Sequence, residues 1–298
     1  MSTVLEFRNV VRGYGESYPV INDVSFSVEQ GEVVGLLGRN GAGKTTLIRL
    51  AMGLLHPQEG SVHVFGLSPT DHPVEVKKRV GYVAEDQVLP TQAVVDDVIE
   101  FHRRLFPQWD VPLERQLWIQ LDIKLGATIG KLSKGEARRV ALLCAVCHKP
   151  ELLILDEPAG GLDPAVRREF LEVAVQLLNR EGTTILFSSH QMGDLERIGS
   201  RVVLLDSRRV CLDESIERLR EEYCVAMAPC SAIPNSAVLE RVPGCLRVRH
   251  ILNDWHAVFR RPPDVAAAEL RQALGIDGIR CVQVTLEDLF VEMVGAKH

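Results

Sequence analysis

Gly38-Arg39-Asn40-Gly41-Ala42-Gly43-Lys44-Thr45 fits the pattern G-x-x-x-x-G-K-[ST]. Before it, Val33-Val34-Gly35-Leu36-Leu37 is a short apolar run that reads as a buried strand; after it, Thr46-Leu47-Ile48-Arg49-Leu50 begins a helix. A glycine-rich turn between strand and helix aims backbone N–H groups at one spot, and the helix N-terminus adds partial positive charge there. A triphosphate is the guest such a cradle suits. Lys44 is expected to reach the β- and γ-phosphates and the Thr45 hydroxyl to ligate Mg²⁺. The bland alternative, a glycine-rich turn carrying a surface lysine, leaves both flanks unexplained.

Working outward, 298 residues suffice for one large domain and a smaller one, and 46% hydrophobic residues supply a core. A net charge of −6 argues against nucleic acid as the main partner. No apolar run approaches the roughly 20 residues of a membrane span. Met1-Ser2-Thr3-Val4 leads straight into a strand-like segment rather than a leader, so a cytoplasmic protein with reduced thiols is expected. Cys144-Ala145-Val146-Cys147-His148 matches C-x-x-C-H, the c-type haem attachment pattern, but it sits in an apolar helical run where small core cysteines belong.

The chain opens with alternating segments around Leu5 to Arg8 and Val24 to Val28, an antiparallel β layer ahead of the central strand. Tyr14, on the turn Gly13-Tyr14-Gly15, either stacks on an adenine or is an exposed turn residue. Val62 to Phe65 and Val80 to Val83 read as further strands. Apolar positions from Val94 to Leu121, interrupted by Pro107 and Pro112, mark a helical subdomain over about 86–135. Ser133 with Glu136 three residues later forms a capping box that starts the next helix. It either simply starts that helix or exposes a second anion-binding helix N-terminus.

Leu152-Leu153-Ile154-Leu155 is a strand that ends in Asp156-Glu157. Carboxylates at the C-terminal end of a parallel strand stand where open α/β sheets bind ligands. Asp156 is expected to hold Mg²⁺ through water and Glu157 to face the attacking water. Thr184-Ile185-Leu186-Phe187 leads to Ser188-Ser189-His190, so His190 ends a strand parallel to that of Asp156 and reaches the same crevice. Beyond a charged joint at residues 213–222, strand-like and helix-like segments (223–228, 234–242, 245–251, 255–260, 264–274, 279–285, 286–294) run βαββαβ plus a helix, a ferredoxin-like order. Arg247, Arg249, Arg260 and Arg261 form either a basic face on that sheet or an ordinary solvated one.

In this order the segments resemble the ATP-binding subunit of an ABC transporter over residues 1 to about 215. Gly38, Arg39, Asn40, Gly41, Ala42, Gly43, Lys44 and Thr45, with Thr46, look like its Walker A. Leu132 to Glu136 looks like its signature, with Ser133 and Gly135 as nucleotide contacts. Asp156 and Glu157 match Walker B and the catalytic glutamate, Leu162-Asp163 the D-loop, His190 the switch histidine and Tyr14 the adenine-stacking aromatic. Phe106-Pro107-Gln108-Trp109-Asp110, the Leu-Ser-Lys-Gly signature and the tail Thr285 to Phe290 are similar to ABC-2-type exporters. Lys134, Glu136 and Gly160 depart from the usual glycine, glutamine and small polar residue. At the Q-loop position Glu85 stands where glutamine is usual, with Gln87 two residues on; Glu85 is the expected third Mg²⁺ contact.

The resemblance implies an α/β P-loop ATPase core (residues 1–215) with an antiparallel β layer and a helical subdomain, followed by a small α+β lobe (223–298). It implies ATP and Mg²⁺ as cofactors and catalysis by Glu157 and His190. Each ATP is expected between Walker A of one copy and the signature of a second, in a homodimer or a heterodimer, with a separate transmembrane permease as partner. The subunit would then sit on the inner face of the cell membrane. The rival is an ABC-type ATPase with a regulatory or assembly role and no permease. A DNA-repair ATPase would need a long coiled coil for which the span from Glu85 to Leu132 has no room, and the Asn-Lys-x-Asp of a GTPase does not follow.

Overall fold

The computed structural model describes residues 2–15, 18–85, 89–158, 160, 167, 173, 182–190, 193, 195–196, 199–233, 235–276 and 279–294. The chain divides into two units, Met1–Asp213 and Glu214–His298. The first runs β1 (Thr3–Arg12), β2 (Ile21–Glu29), β3 (Val33–Gly38), α1 (Lys44–Ala51), β4 (Glu59–Val64), α2 (Pro73–Arg79) and β5 (Val80–Val83). It continues with α3 (Val95–Leu105), α4 (Val111–Gln120), a 3-10 turn at Ile129–Lys131, α5 (Lys134–Val146), β6 (Leu152–Leu155), β7 (Thr184–Ser189), β8 (Arg201–Asp206) and β9 (Arg209–Ser215).

Alternation in β1 and β2 buries one face of an antiparallel sheet of order β2-β1-β4. Phe7 pairs with Phe26 across it, rings stacked with centroids 4.7 Å apart. β3, β6 and β7, buried along nearly their whole length, instead belong to a six-stranded sheet of order β5-β6-β7-β3-β8-β9. Its β5-β6, β6-β7, β7-β3 and β3-β8 pairs are parallel, as expected for strands covered on both faces. One core joins Phe7 and Phe26 of the first sheet to Leu47 and Ile48 of α1 and to Leu36, Ile154 and Leu186 of the second. The antiparallel layer thus covers α1, and the parallel strands all present their C-terminal ends on one edge.

In the helical segment, α3 buries Val95, Val98 and Ile99, and α5 buries its run from Val140 to Val146. Asp110 caps α4, accepting from the Leu113 N–H at 2.8 Å, and pairs with Lys149 at 2.8 Å. Both contacts hold its carboxyl below the usual aspartate range. Cys144 and Cys147 are core residues, as their apolar setting requires; burial pushes the Cys144 thiol up to about 12. His148 stacks on Phe106 with ring centroids 4.2 Å apart. Among the described residues no helix is long and apolar enough to cross a membrane.

The second unit contains α6 (Ile216–Glu222), β10 (Cys224–Pro229), α7 (Ala237–Glu240), β11 (Cys245–Ile251), β12 (Asp254–Phe259), α8 (Pro263–Leu274), β13 (Arg280–Gln283) and α9 (Leu286–Val294). Its sheet is antiparallel in the order β11-β12-β10-β13, the ferredoxin-like arrangement. Two elements are shorter than their sequence pattern. Asn235 Oδ1 takes the Ala237 N–H and Pro243 blocks continuation, so α7 is a single turn. Thr285 caps α9 by accepting from the Asp288 N–H at 3.1 Å, which ends β13 early. The four arginines form no open basic face. Arg247 and Arg249 donate to the Met293 and Val291 carbonyls of α9, Arg260 pairs with Glu214, and Arg261 pairs with Glu269.

Candidate nucleotide site

Four parallel strands deliver the predicted residues to one edge. β3 ends in the glycine turn, β5 leads to Glu85, β6 to Asp156 and Glu157, and β7 to His190. In the turn, Gly43 has φ 108°, and a Cβ there would lie 2.3 Å from Ile21 Cδ1, so only glycine fits. Lys44 folds back over the turn: its Nζ donates to the Gly38 carbonyl at 2.8 Å and lies 3.1 Å from Glu157 Oε1. Arg39, Asn40, Gly41, Gly43, Lys44, Thr45, Thr46, Glu85 and Glu157, with Val20, line a cavity of about 230 Å³.

Beside this cavity Thr45 Oγ1 donates to Asp156 Oδ1 at 3.3 Å, and Ser188 Oγ donates to the same oxygen at 2.7 Å. Burial raises the Asp156 pKa, against the opposing pull of the Ser188 and Thr45 hydrogen bonds and the Lys44 charge. Ser188 also accepts the Glu157 N–H at 2.8 Å, which braces a non-glycine backbone at φ 44°. His190 Nδ1 lies 2.7 Å from Glu157 Oε2. Glu157 therefore stands between a cation and an imidazole, with its side chain 8% exposed.

The remaining sequence-predicted residues divide. Tyr14 OH lies 3.3 Å from Thr46 Oγ1, so the aromatic touches the start of α1, with the Arg12 guanidinium 5.7 Å from its ring centroid. Ser133 caps α5 in a complete capping box, and Glu136 pairs with Lys124 at 2.5 Å. The Lys124 and Ser133 hydrogen bonds hold the Glu136 carboxyl down at about 2. Ser133 and Gly135 are not among the residues lining the cavity. Gln87 and the D-loop pair Leu162-Asp163 lie outside the described residues.

Sequence reading missed two residues. Ser188 was visible only as part of the run into His190, with no sign that it would bridge Asp156 and Glu157. Arg138, on α5, is buried and donates to the carbonyls of Glu85 (2.8 Å), Pro158 (3.5 Å) and Gly160. It ties the signature helix to the segments after β5 and β6. A charged residue two positions before the apolar run of α5 was its only signal.

A family profile described as ABC transporter matches residues 21–160. The Nod factor export ATP-binding protein I of Burkholderia orbicola is 32% identical over 98% of this chain and 97% of its own length. The chain belongs to the ABC transporter ATP-binding proteins. The family's protein YtrB of Bacillus subtilis is 30% identical over 74% of this chain and 76% of its own length. A solved structure of the ATP-binding subunit of an ABC transporter, 30% identical, superimposes with a TM-score of 0.66 over 73% of this chain and 92% of that one. A dimeric bacterial ABC transporter cassette, 21% identical, has the same fold at a TM-score of 0.63 over 71% of this chain and 98% of that one. The P-loop, the antiparallel layer and the parallel sheet are thus those of an ABC ATPase, and the chain is an ATP-binding subunit.

Proposed function

We propose that this subunit hydrolyses ATP to power an exporter, with Glu157 as general base. The observation that carries the reading is the chain of contacts Lys44–Glu157–His190 beside the cavity. Lys44 is within reach of the cavity to meet phosphate oxygens. Glu157 accepts the proton of the attacking water, and His190 orients that carboxylate and meets the γ-phosphate. Tyr14 stacks on the adenine. The donor set suits Mg²⁺: Thr45 and Asp156 supply hard oxygen ligands side by side, Glu85 a third, and few protein ligands are usual where phosphates complete the shell. Bound there, Mg²⁺ would neutralise charge developing on the β- and γ-phosphates.

Ser133 and Gly135, standing apart from the cavity at the N-terminus of α5, fit contact with the nucleotide of a second copy. A homodimer is the simplest assembly, since one chain carries both half-sites. Relatives named for Nod factor export align over nearly the full chain, which supports export through a separate membrane permease. On this reading the subunit sits at the cytoplasmic face of a membrane. Exposed Phe101 and Leu105 on α3 offer apolar surface for such a partner. Residues 1–215 form the ATPase domain on this reading and 223–298 an accessory domain, so limited proteolysis should cut near 213–222.

The test is co-expression with any multi-span protein encoded beside this chain. ATP hydrolysis by the purified complex, abolished in Glu157→Gln and stimulated by the membrane subunit, is the expected result. Hydrolysis in Glu157→Gln near the wild-type rate would refute the general-base assignment. Failure of any membrane protein to co-purify would instead favour the ATPase without a permease.

A further inference from the structure

None of the seven cysteines is in a disulfide, and two of them meet across strands of the second unit. β10 pairs antiparallel with β13 so that Cys224 faces Gln283 and Ala226 faces Cys281. Cys224 and Cys281 are therefore diagonal neighbours on one face of the sheet. Both point into the core that packs against α8, Cys224 fully buried and Cys281 partly exposed. The two thiols are hydrogen-bonding neighbours. The ATP-site chemistry does not use this contact.

From this pairing we infer that Cys224 and Cys281 form a reversible disulfide, a redox modification site in the C-terminal unit. The two thiols have unequal roles. The contact between them lowers the Cys281 pKa and raises that of Cys224, so Cys281 is the more acidic thiol of the two. It is also the one solvent reaches. A hydroperoxide is the matching oxidant class. The Cys281 thiolate attacks one peroxide oxygen, the O–O bond breaks, and hydroxide leaves with Cys281 as a sulfenic acid. The Cys224 sulfur, losing its proton, then attacks the Cys281 sulfur and displaces water. In sum two thiols and one hydrogen peroxide give one disulfide and two waters.

The geometry makes the bond labile. Diagonal cross-strand Cα atoms stand at about 7–8 Å, beyond the roughly 4.4–6.8 Å that an unstrained disulfide spans. Closing it requires movement, and β13 is the element able to move, a four-residue strand at the sheet edge. Strained disulfides of this kind reduce readily. β13 leads through Thr285 directly into α9, so the bond pulls on that helix's first turn.

The experiment is mild hydrogen peroxide treatment of the full-length protein, then thiol counting and peptide mapping under non-reducing conditions. Two of the seven thiols should be lost, with Cys224 and Cys281 recovered in one linked peptide that a dithiol reductant releases. Cys281→Ser should abolish the link, and in Cys224→Ser a sulfenic-acid probe such as dimedone should label Cys281. Because Cys224→Ser touches the core, its circular dichroism is compared first; Cys281→Ser, at a partly exposed position, keeps the test intact if it misfolds. Retention of all seven thiols under peroxide, or linkage only between other cysteines, would overturn the assignment.

Discussion

Lys44 Nζ stands 3.1 Å from Glu157 Oε1, with both side chains almost sealed from solvent. The cation that should meet phosphate and the carboxylate that should take a proton thus form an ion pair. On the proposed reading, a triphosphate entering the cavity would compete with Glu157 for Lys44. Glu157→Gln keeps the shape, removes the charge and frees Lys44. Hydrolysis should fall by about 10²-fold or more. ATP binding measured without Mg²⁺ should tighten, and size exclusion with ATP and Mg²⁺ should show an accumulated dimer. Weaker ATP binding in the variant would show that the ion pair does not restrain Lys44.

Asp156 gives a pH-dependent prediction. Burial, the dominant cause, raises its pKa above the ordinary 3.8. For an acid shifted upward, the ionised form costs stability above the folded-state pKa, and the cost vanishes below the unfolded one. Asp156→Asn should therefore melt higher than the wild type at pH 7 without nucleotide, and the gap should close as the pH falls toward 3.8. The same variant should lose Mg²⁺-dependent hydrolysis. Equal melting temperatures at pH 7 would mean that Ser188, Thr45 and Lys44 fully offset the burial.

Arg138 joins three backbone carbonyls, those of Glu85, Pro158 and Gly160, from its place on the signature helix. It touches no cavity surface and acts by positioning. Arg138→Lys retains the charge but not the fork that reaches several acceptors. The turnover number should fall roughly tenfold while nucleotide affinity in the isolated subunit stays within a factor of about two. A purely structural role would lower the melting temperature and both constants together, so thermal unfolding is measured in parallel.

The P-loop and the strand-end carboxylates were legible because each combines a local pattern with a position in the sheet that the pattern itself implies. The ferredoxin-like order of the second unit followed from element types alone. Contacts between segments distant in sequence were not legible. Nothing local in Ser188 shows that β7 pairs with β6 in the register Leu155 to Phe187, which sets Ser188 beside Asp156. Whether Arg247 and Arg249 make a basic face or an ordinary solvated one stays open in the sequence, because their partners, the closing carbonyls of α9, lie more than 40 residues away.

Glu85 or Gln87 supplies the oxygen expected after β5, and the two differ in testable ways. Glu85 lines the cavity with Lys44 and Thr45, and its backbone carbonyl is held by Arg138 at 2.8 Å. A carboxylate suits a hard divalent cation. Gln87 has the chemistry usual at this position but stands two residues later, so in an extended segment it would share Glu85's side. With Glu85 as the ligand, Glu85→Gln preserves an oxygen at the same reach and should keep most of the activity. Glu85→Ala removes it, lowering the rate and raising the Mg²⁺ concentration for half activity severalfold. Gln87→Ala should change neither. Steady-state hydrolysis titrated with Mg²⁺ for the three variants separates the cases, since a merely structural loss at Glu85 would lower the rate without moving the Mg²⁺ midpoint. Collapse of activity in Gln87→Ala with Glu85→Ala unaffected would transfer the role to Gln87.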